Sequence, residues 1–430
     1  MPSVQNVVYD IIFAGGGTSA CITAGRLAAA DPTLKILCQP SEALLGRSPL
    51  VPSGRAVGGG SNVNFVVYTR ASASDYDDWE TKYGNKGWSS KHIIPLLKKA
   101  ETFQPGSTNS THGSSGPIKM SYAPDLINIA ENFLEVAASF DKERTVTDDT
   151  NAFFECEKYI DGETGRRSGT AHHYIYNQAQ NTNLTVLDRH RVVRIIFEGK
   201  HAVGIEYVSD LVGRNGGITV PITARVSRLV VVSAGAFGSP AILERSGIGT
   251  KSILEKNNVQ QIVDLPGVGG IFLSFIATEN ADTLDQLFRG SPEEVEPYAQ
   301  QWLKEGKGLM SHHGIDCGVK MRPNVKELAS MSPEFDHRWK THFAPAPDKP
   351  VMLYLPFAAW GNPFSLGGQV LTSCSPPFLA MLGLNPAVPR GKYFTITYFS
   401  VYPVSLGRVH ITSGSNPYAK SDFHAGFLDE

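Results

Sequence analysis

An α/β fold with a parallel sheet at its N-terminal end is predicted by three observations. The chain has 430 residues, which at about 150 residues per domain gives two or three domains and a large buried core. Apolar residues make up 41% and charged residues 19%, a globular composition rather than a disordered one. The N-terminal residues run as an apolar stretch, a glycine turn, a helical stretch and a second apolar stretch.

Val7 to Ala14 is short, apolar and β-branched, as a strand buried on both faces must be. Gly15-Gly16-Gly17-Thr18-Ser19-Ala20 comes directly after it, and Cys21 to Ala30 reads as a helix. Asp31-Pro32 stops that helix, and Leu34 to Cys38 is a second apolar strand. This βαβ unit carries G-x-G-x-x-A at its first turn, the pattern of a doubly wound, Rossmann-type domain. Gly15 permits the tight turn, Gly17 lets the backbone approach a pyrophosphate, and Ala20 lets helix and strand pack closely. The helix N-terminus brings free N–H groups and the positive dipole end to the phosphates. At the end of the second strand, where an acid would bind the ribose, stand Gln39-Pro40-Ser41-Glu42. Gln39 offers only a neutral hydrogen bond, and Glu42 lies further along.

Composition excludes several alternatives. With 39 basic and 41 acidic residues the net charge is −2, so there is no global attraction for nucleic acid or an anionic membrane. The five cysteines, at 21, 38, 156, 317 and 374, form no CxxC or zinc-ligand spacing and read as buried free thiols. No apolar run reaches the roughly 18 residues of a membrane helix. Met1 to Tyr9 lacks a basic leader region and Asp10 interrupts the adjoining apolar stretch, so an intracellular location is expected. The 42 glycines and 27 prolines imply many turns and close backbone approaches.

A second glycine cluster runs from Gly54 through Gly58-Gly59-Gly60-Ser61-Asn62-Val63-Asn64-Phe65-Val66-Val67 to Tyr68-Thr69-Arg70, and continues as Ala71-Ser72-Ala73-Ser74-Asp75-Tyr76-Asp77-Asp78. It resembles the flavin-contacting segment of the glucose-methanol-choline (GMC) oxidoreductases, and within them the fungal methanol and alcohol oxidase branch. Further stretches resemble that family in order. They are Thr164 to Ser168 with Ala171-His172, Asn183 to Leu187, Arg191 to Ile195, Ser233 to Pro240, Ser246 to Gly249 and Leu265 to Gly269. Gly314 to Pro323, Asp348 to Met352 and Gly407 to Leu428 complete the series.

The resemblance implies FAD as cofactor, and an FAD-binding Rossmann-type domain with an α+β substrate domain on a mostly antiparallel sheet. Both would be discontinuous, with 1–100 and 175–275 binding FAD and 101–174 and 276–430 forming the substrate domain. It implies that Gly15, Gly17, Thr18 and Ser19 hold the pyrophosphate. Val57, Gly58, Asn64, Phe65, Val66 and Val67 would lie along the flavin, and Val192 would meet adenine through its backbone. The implied reaction is oxidation of an alcohol CH–OH group by the flavin, with O2 or another acceptor taking the electrons. A place in fungal secondary metabolism, and a cytoplasmic or peroxisomal location, fit the same branch.

The resemblance also has gaps. The family's catalytic histidine lies beyond Glu430, and none of the 12 histidines matches it by motif, His312-His313, His410 and His424 included. The adjacent pair His312-His313 reads as ordinary loop residues. Cys38-Gln39-Pro40 and Gly269-Gly270-Ile271 join where the family carries further segments, and Asn362 to Pro389 reads as an insertion. Taken literally, the substrate domain is incomplete, and weak flavin retention and little turnover are expected. A catalytically defective member of the family is therefore the alternative reading. A nicotinamide-dependent dehydrogenase would need no second glycine cluster.

Overall fold

The computed structural model describes residues 8–39, 54, 56–105, 112–122, 126–142, 152–214, 217–271, 277–278, 291–312, 314–357, 395–404 and 406–424. The chain divides into two compact units. The first comprises 1–64, 169–273 and 404–430, and the second 65–168 and 274–403.

The first unit is built on a six-stranded sheet. Its order is Leu184–Val186, β2 (Ile36–Gln39), β1 (Val8–Ala14), Ile222–Val232, His201–Ser209 and His190–Glu198. The first four strands are mutually parallel, and the last two pairings are antiparallel, so His201–Ser209 alone runs against the rest. Helix α1 (Thr18–Ala30) connects β1 to β2 and buries Ala20, Cys21, Ala24, Gly25 and Ala28, one stripe at helical spacing. Small residues set how closely it packs. Ala20, Ala24 and Ala28 lie against Phe13 and Leu34. On the other side, a Cβ on Gly25 would overlap the Tyr174 carbonyl. Another core cluster gathers Tyr9, Ile12, Val192, Ile195, Ile205, Tyr207 and Ile242. The predicted βαβ unit is therefore present, with α1 starting at Thr18 because Gly17 serves as its cap.

The second unit carries a five-stranded sheet ordered Ala277–Thr278, Thr395–Ser400, Met352–Phe357, Cys317–Met321 and Ala152–Glu155. Every one of these pairings is antiparallel. Helix Asn128–Phe140 lays Ala130, Leu134 and Ala137 on Cys317 and Val319 of that sheet. Two buried polar clusters brace the unit. Lys158 pairs with Asp316, both almost fully buried, and Asp316 also accepts the Ile127 N–H at 3.2 Å. Glu101 pairs with Arg70, while His112 bridges Glu101 at 3.1 Å and Glu157 at 2.9 Å.

The compact units differ from the sequence-based division chiefly at 65–100 and 404–430, with a smaller shift that brings 169–174 into the first unit. Residues 65–100 belong to the second unit, because Val67 bridges Lys158, Arg70 pairs with Glu101 and the Ser72 hydroxyl donates to the Asp348 carbonyl at 2.6 Å. Residues 404–430 return to the first unit. There Gly407–His410 pairs with Gly270–Ile271, and Glu244 accepts from His410 at 2.6 Å and from the Ile411 N–H at 2.8 Å.

Removing one partner of a buried ion pair leaves the other charge without compensation. Lys158→Met is therefore expected to lower the unfolding free energy by about 3–5 kcal/mol. Adding Asp316→Asn should recover more than half of that loss. Urea unfolding of the single and double variants checks this, and equal losses in both would refute it.

Candidate dinucleotide site

In the first unit the two glycine clusters fold into two turns that meet at α1. Gly15, at φ +132°, takes a backbone conformation that L side chains rarely adopt, and a Cβ there would overlap the Ser233 carbonyl. Gly17 is different. A Cβ on it would find nothing nearer than the Ser233 carbonyl oxygen at 4.0 Å, so the space above this residue is open. The first helical hydrogen bond runs from the Cys21 N–H to the Gly17 carbonyl at 2.9 Å. The N–H groups of Thr18, Ser19 and Ala20 precede it, no side chain caps them, and no acid lies in the first turn of α1. That leaves the positive end of the helix dipole without an internal counter-charge.

The second turn packs on the first. The Gly58 N–H donates to the Gly16 carbonyl at 2.8 Å, and Gly58 has φ +100°. A Cβ on Gly59 would stand 2.7 Å from Gly17 Cα. The triple glycine thus serves backbone-to-backbone contact. The Thr18 hydroxyl is also engaged here, donating to the Gly58 carbonyl at 3.0 Å and accepting the Ser61 N–H at 3.2 Å. The Thr18 side chain therefore braces the neighbouring turn, while its backbone N–H stays in the uncapped first turn of α1.

The other residues singled out by motif are spread over both units. Val57 is buried with Cys21, Ala171 and Ile175, and its carbonyl accepts from Asn62 Nδ2 at 2.5 Å. Asn64 is exposed, and its N–H donates to the Gly60 carbonyl at 3.0 Å. Val192 is buried in the sheet core, next to a bulge in which Val193 is the extra residue. Gln39 is the last residue of β2, paired with Ala14, and Glu42 lies outside the described residues. Phe65, Val66 and Val67 belong to the second unit, where Phe65 and Val67 pack on Phe154, Cys156, Ile315 and Leu355. Val66 is buried at φ +53°, a strained conformation for a β-branched residue, and its carbonyl accepts the Tyr159 N–H at 3.1 Å.

Sequence reasoning missed several placements. The Ser233 hydroxyl is buried with no hydrogen-bond partner among the described residues, and its carbonyl flanks Gly15 and Gly17. His312 lies in irregular backbone, as the sequence reads, but its side chain is shielded 3.4 Å from Asp316, and His313 lies outside the described residues. His410 is tied to Glu244. Only the serine's place in a strand-to-helix turn hinted at any of these. Among the described residues no helix is long and apolar enough to cross a membrane, and no cluster of three His, Cys, Asp or Glu side chains is placed to hold a metal ion.

Comparison with known proteins gives this geometry its class. Residues 9–270 match the family model described as GMC oxidoreductase. An alcohol oxidase of Candida boidinii is 33% identical over 98% of this chain and 67% of its own length. The alcohol oxidase of Pichia angusta is equally similar, at 33% with the same coverage. Among solved structures, an Aspergillus oryzae formate oxidase superposes with a TM-score of 0.80 at 19% identity, covering 99% of this chain and 78% of the other. A fungal aryl-alcohol oxidase does so with 0.72 at 20% identity, covering 98% and 79%. The chain belongs to the GMC oxidoreductase family and is an FAD-dependent oxidoreductase.

The residues present fit a dinucleotide. The first turn of α1 without a side-chain cap, the open space at Gly17 and the Ser233 hydroxyl, which has no partner among the described residues, all suit a phosphate-bearing ligand.

Beneath the turns, burial pushes the Cys21 thiol up to about 11, and in the second unit it pushes Cys156 up to about 12. A raised thiol pKa means less thiolate, so at pH 8 both are almost wholly protonated. A maleimide should therefore leave both unmodified in the folded chain and label them on unfolding. Peptide mapping checks this, and rapid labelling of Cys21 in the folded protein would contradict the packing described.

Proposed function

We propose that the chain oxidises the CH–OH group of an alcohol, with FAD as cofactor and O2 as electron acceptor. The observation that carries this is the pairing of the two glycine turns at α1, in a chain that resembles alcohol oxidases over nearly its whole length. When bound, FAD supplies the two-electron acceptor for the alcohol.

The chain's own residues do the binding and positioning. Gly17, Thr18 and Ser19 hold the pyrophosphate through backbone N–H groups, and Gly15, whose own N–H donates to the Phe13 carbonyl at 3.1 Å, shapes the turn that presents them. The absence of a Cβ at Gly17 and the dipole of α1 favour close approach of that anion. Val57, Gly58 and Asn64, with Phe65, Val66 and Val67 next in sequence, lie along the flavin. Val192 meets the adenine through its backbone, beside the bulge at Val193. The strained backbone at Val66 supports a ligand-lining role, since such conformations cluster where a site dictates the backbone path. With Gln39 in place of an acid, the ribose is held by a neutral contact, and the pyrophosphate cradle carries more of the affinity.

Absorption spectroscopy after incubation with FAD and desalting tests the reading. Flavin bands should remain, should bleach when a primary alcohol is added without oxygen, and should return with peroxide on admitting air. A colourless protein would contradict FAD binding. A retained flavin that no alcohol bleaches would contradict the alcohol assignment and favour a flavin-binding protein without turnover.

A further inference from the structure

The two turns are joined by a chain of hydroxyl groups that reaches a third segment. The Gly58 carbonyl accepts from the Thr18 hydroxyl at 3.0 Å and from the Ser61 hydroxyl at 2.8 Å. The Ser61 hydrogen is thereby committed. The Thr170 hydroxyl, 2.9 Å from Ser61 Oγ, is left as the donor of that contact. Ser61 and Thr170 are 5% and 4% exposed, so water does not readily replace either partner.

Thr170 opens the short helix Thr170–Tyr174, which packs against α1. Neighbouring contacts hold the same junction. A Cβ on Gly169 would stand 3.1 Å from Asn62 Oδ1, and Asn62 Nδ2 in turn donates to the Val57 carbonyl. Ala171 buries its methyl group against Val57 and Cys21. The second glycine turn is therefore clamped between α1 on one side and the 169–171 segment on the other. The Gly58 carbonyl is where the hydrogen bonds converge, and the Gly58 N–H links on to Gly16 of the first turn.

We propose that Thr170 is a positioning residue for the cofactor. Through Ser61 it fixes the Gly58 peptide, and through that peptide it fixes the spacing between the turn that holds the pyrophosphate and the turn that lies along the flavin. Neither Ser61 nor Thr170 needs to touch FAD. The proposal rests on FAD being the cofactor of this chain. A buried hydroxyl pair is the right instrument for this task. It is directional, it carries no charge that would compete for the phosphates, and its geometry is lost when one oxygen is removed without a change in shape.

The test compares Thr170→Val, which keeps the shape and removes the donor, with Thr170→Ser, which keeps the donor. FAD titration, visible circular dichroism of the bound flavin and melting of the FAD-free chain are measured for each. Thr170→Val is expected to raise the FAD dissociation constant roughly tenfold, on the scale of one buried hydrogen bond. It should also alter the flavin dichroism, with little change in melting of the FAD-free chain. Thr170→Ser should restore both. The proposal is overturned if Thr170→Val binds FAD with unchanged affinity and dichroism. It is also overturned if affinity falls only in step with melting temperature and serine restores nothing. If Thr170→Val does not yield folded protein, Ser61→Ala removes the same contact from the acceptor side and is read by the same criteria. Failure of the underlying FAD reading looks different, because the unaltered chain would then take up no flavin at all.

Discussion

Backbone-to-backbone contact between Gly17 and Gly59 is the constraint on which the first unit depends. Any side chain at Gly59 would stand 2.7 Å from Gly17 Cα, so the second turn can sit on the first only if it lacks a Cβ there. Gly15 imposes the same condition against the Ser233 carbonyl. Once the turns touch, short polar groups fasten them. Thr18, Ser61 and Thr170 form a chain of hydrogen bonds that ends on the Gly58 carbonyl, each bond contributing about 0.5–1.5 kcal/mol net. The result is a cradle whose open face is the space above Gly17 and the uncapped start of α1. The anion binding we propose rests on three absences: a side chain at Gly17, a side-chain cap on α1 and an acid in its first turn.

The second unit obeys a different principle. It is braced by buried polar pairs, with Lys158 on Asp316 and Arg70 and His112 on Glu101. Such pairs add little net stability, but they penalise any arrangement that separates them, and so favour one packing over its near alternatives. The backbone of Lys158 bridges Val67 and Ser121, so the pair is tied to the segment whose Val66 lies at φ +53°. A conformation costing about 1–3 kcal/mol persists only where its surroundings over-determine it. The Tyr159 N–H on the Val66 carbonyl and the packing of Phe65 and Val67 supply those surroundings.

The local features were legible in the sequence and the long-range ones were not. The apolar run ending at Ala14, the G-x-G-x-x-A turn and the small residues of α1 each carry their meaning within a few positions. The role of Thr18 was only half legible, since motif spacing points its N–H at a phosphate but cannot reveal that its hydroxyl serves Gly58. Val66 gives no sign in sequence, because valine is a poor choice for a positive φ. The boundaries of the compact units were hidden for a related reason. The contact that draws 404–424 back to the first unit is the Glu244 carboxylate meeting His410 and the Ile411 N–H, across more than 160 residues of chain. Composition and periodicity hold no record of such pairings. Likewise the sequence places His312 in a loop but does not place Asp316 beside it.

The most direct measurement is the FAD affinity of Gly59→Ala set against that of Gly267→Ala. Both positions lie in the first unit, but a Cβ on Gly267 meets nothing within 4 Å, whereas one on Gly59 presses on Gly17. Contact between the turns, reinforced by the positive φ at Gly59, predicts that Gly59→Ala weakens FAD binding by about tenfold or more while Gly267→Ala binds as the unaltered chain does. Equal affinities in the two variants would show that the approach of the two glycine turns does not build the cofactor site.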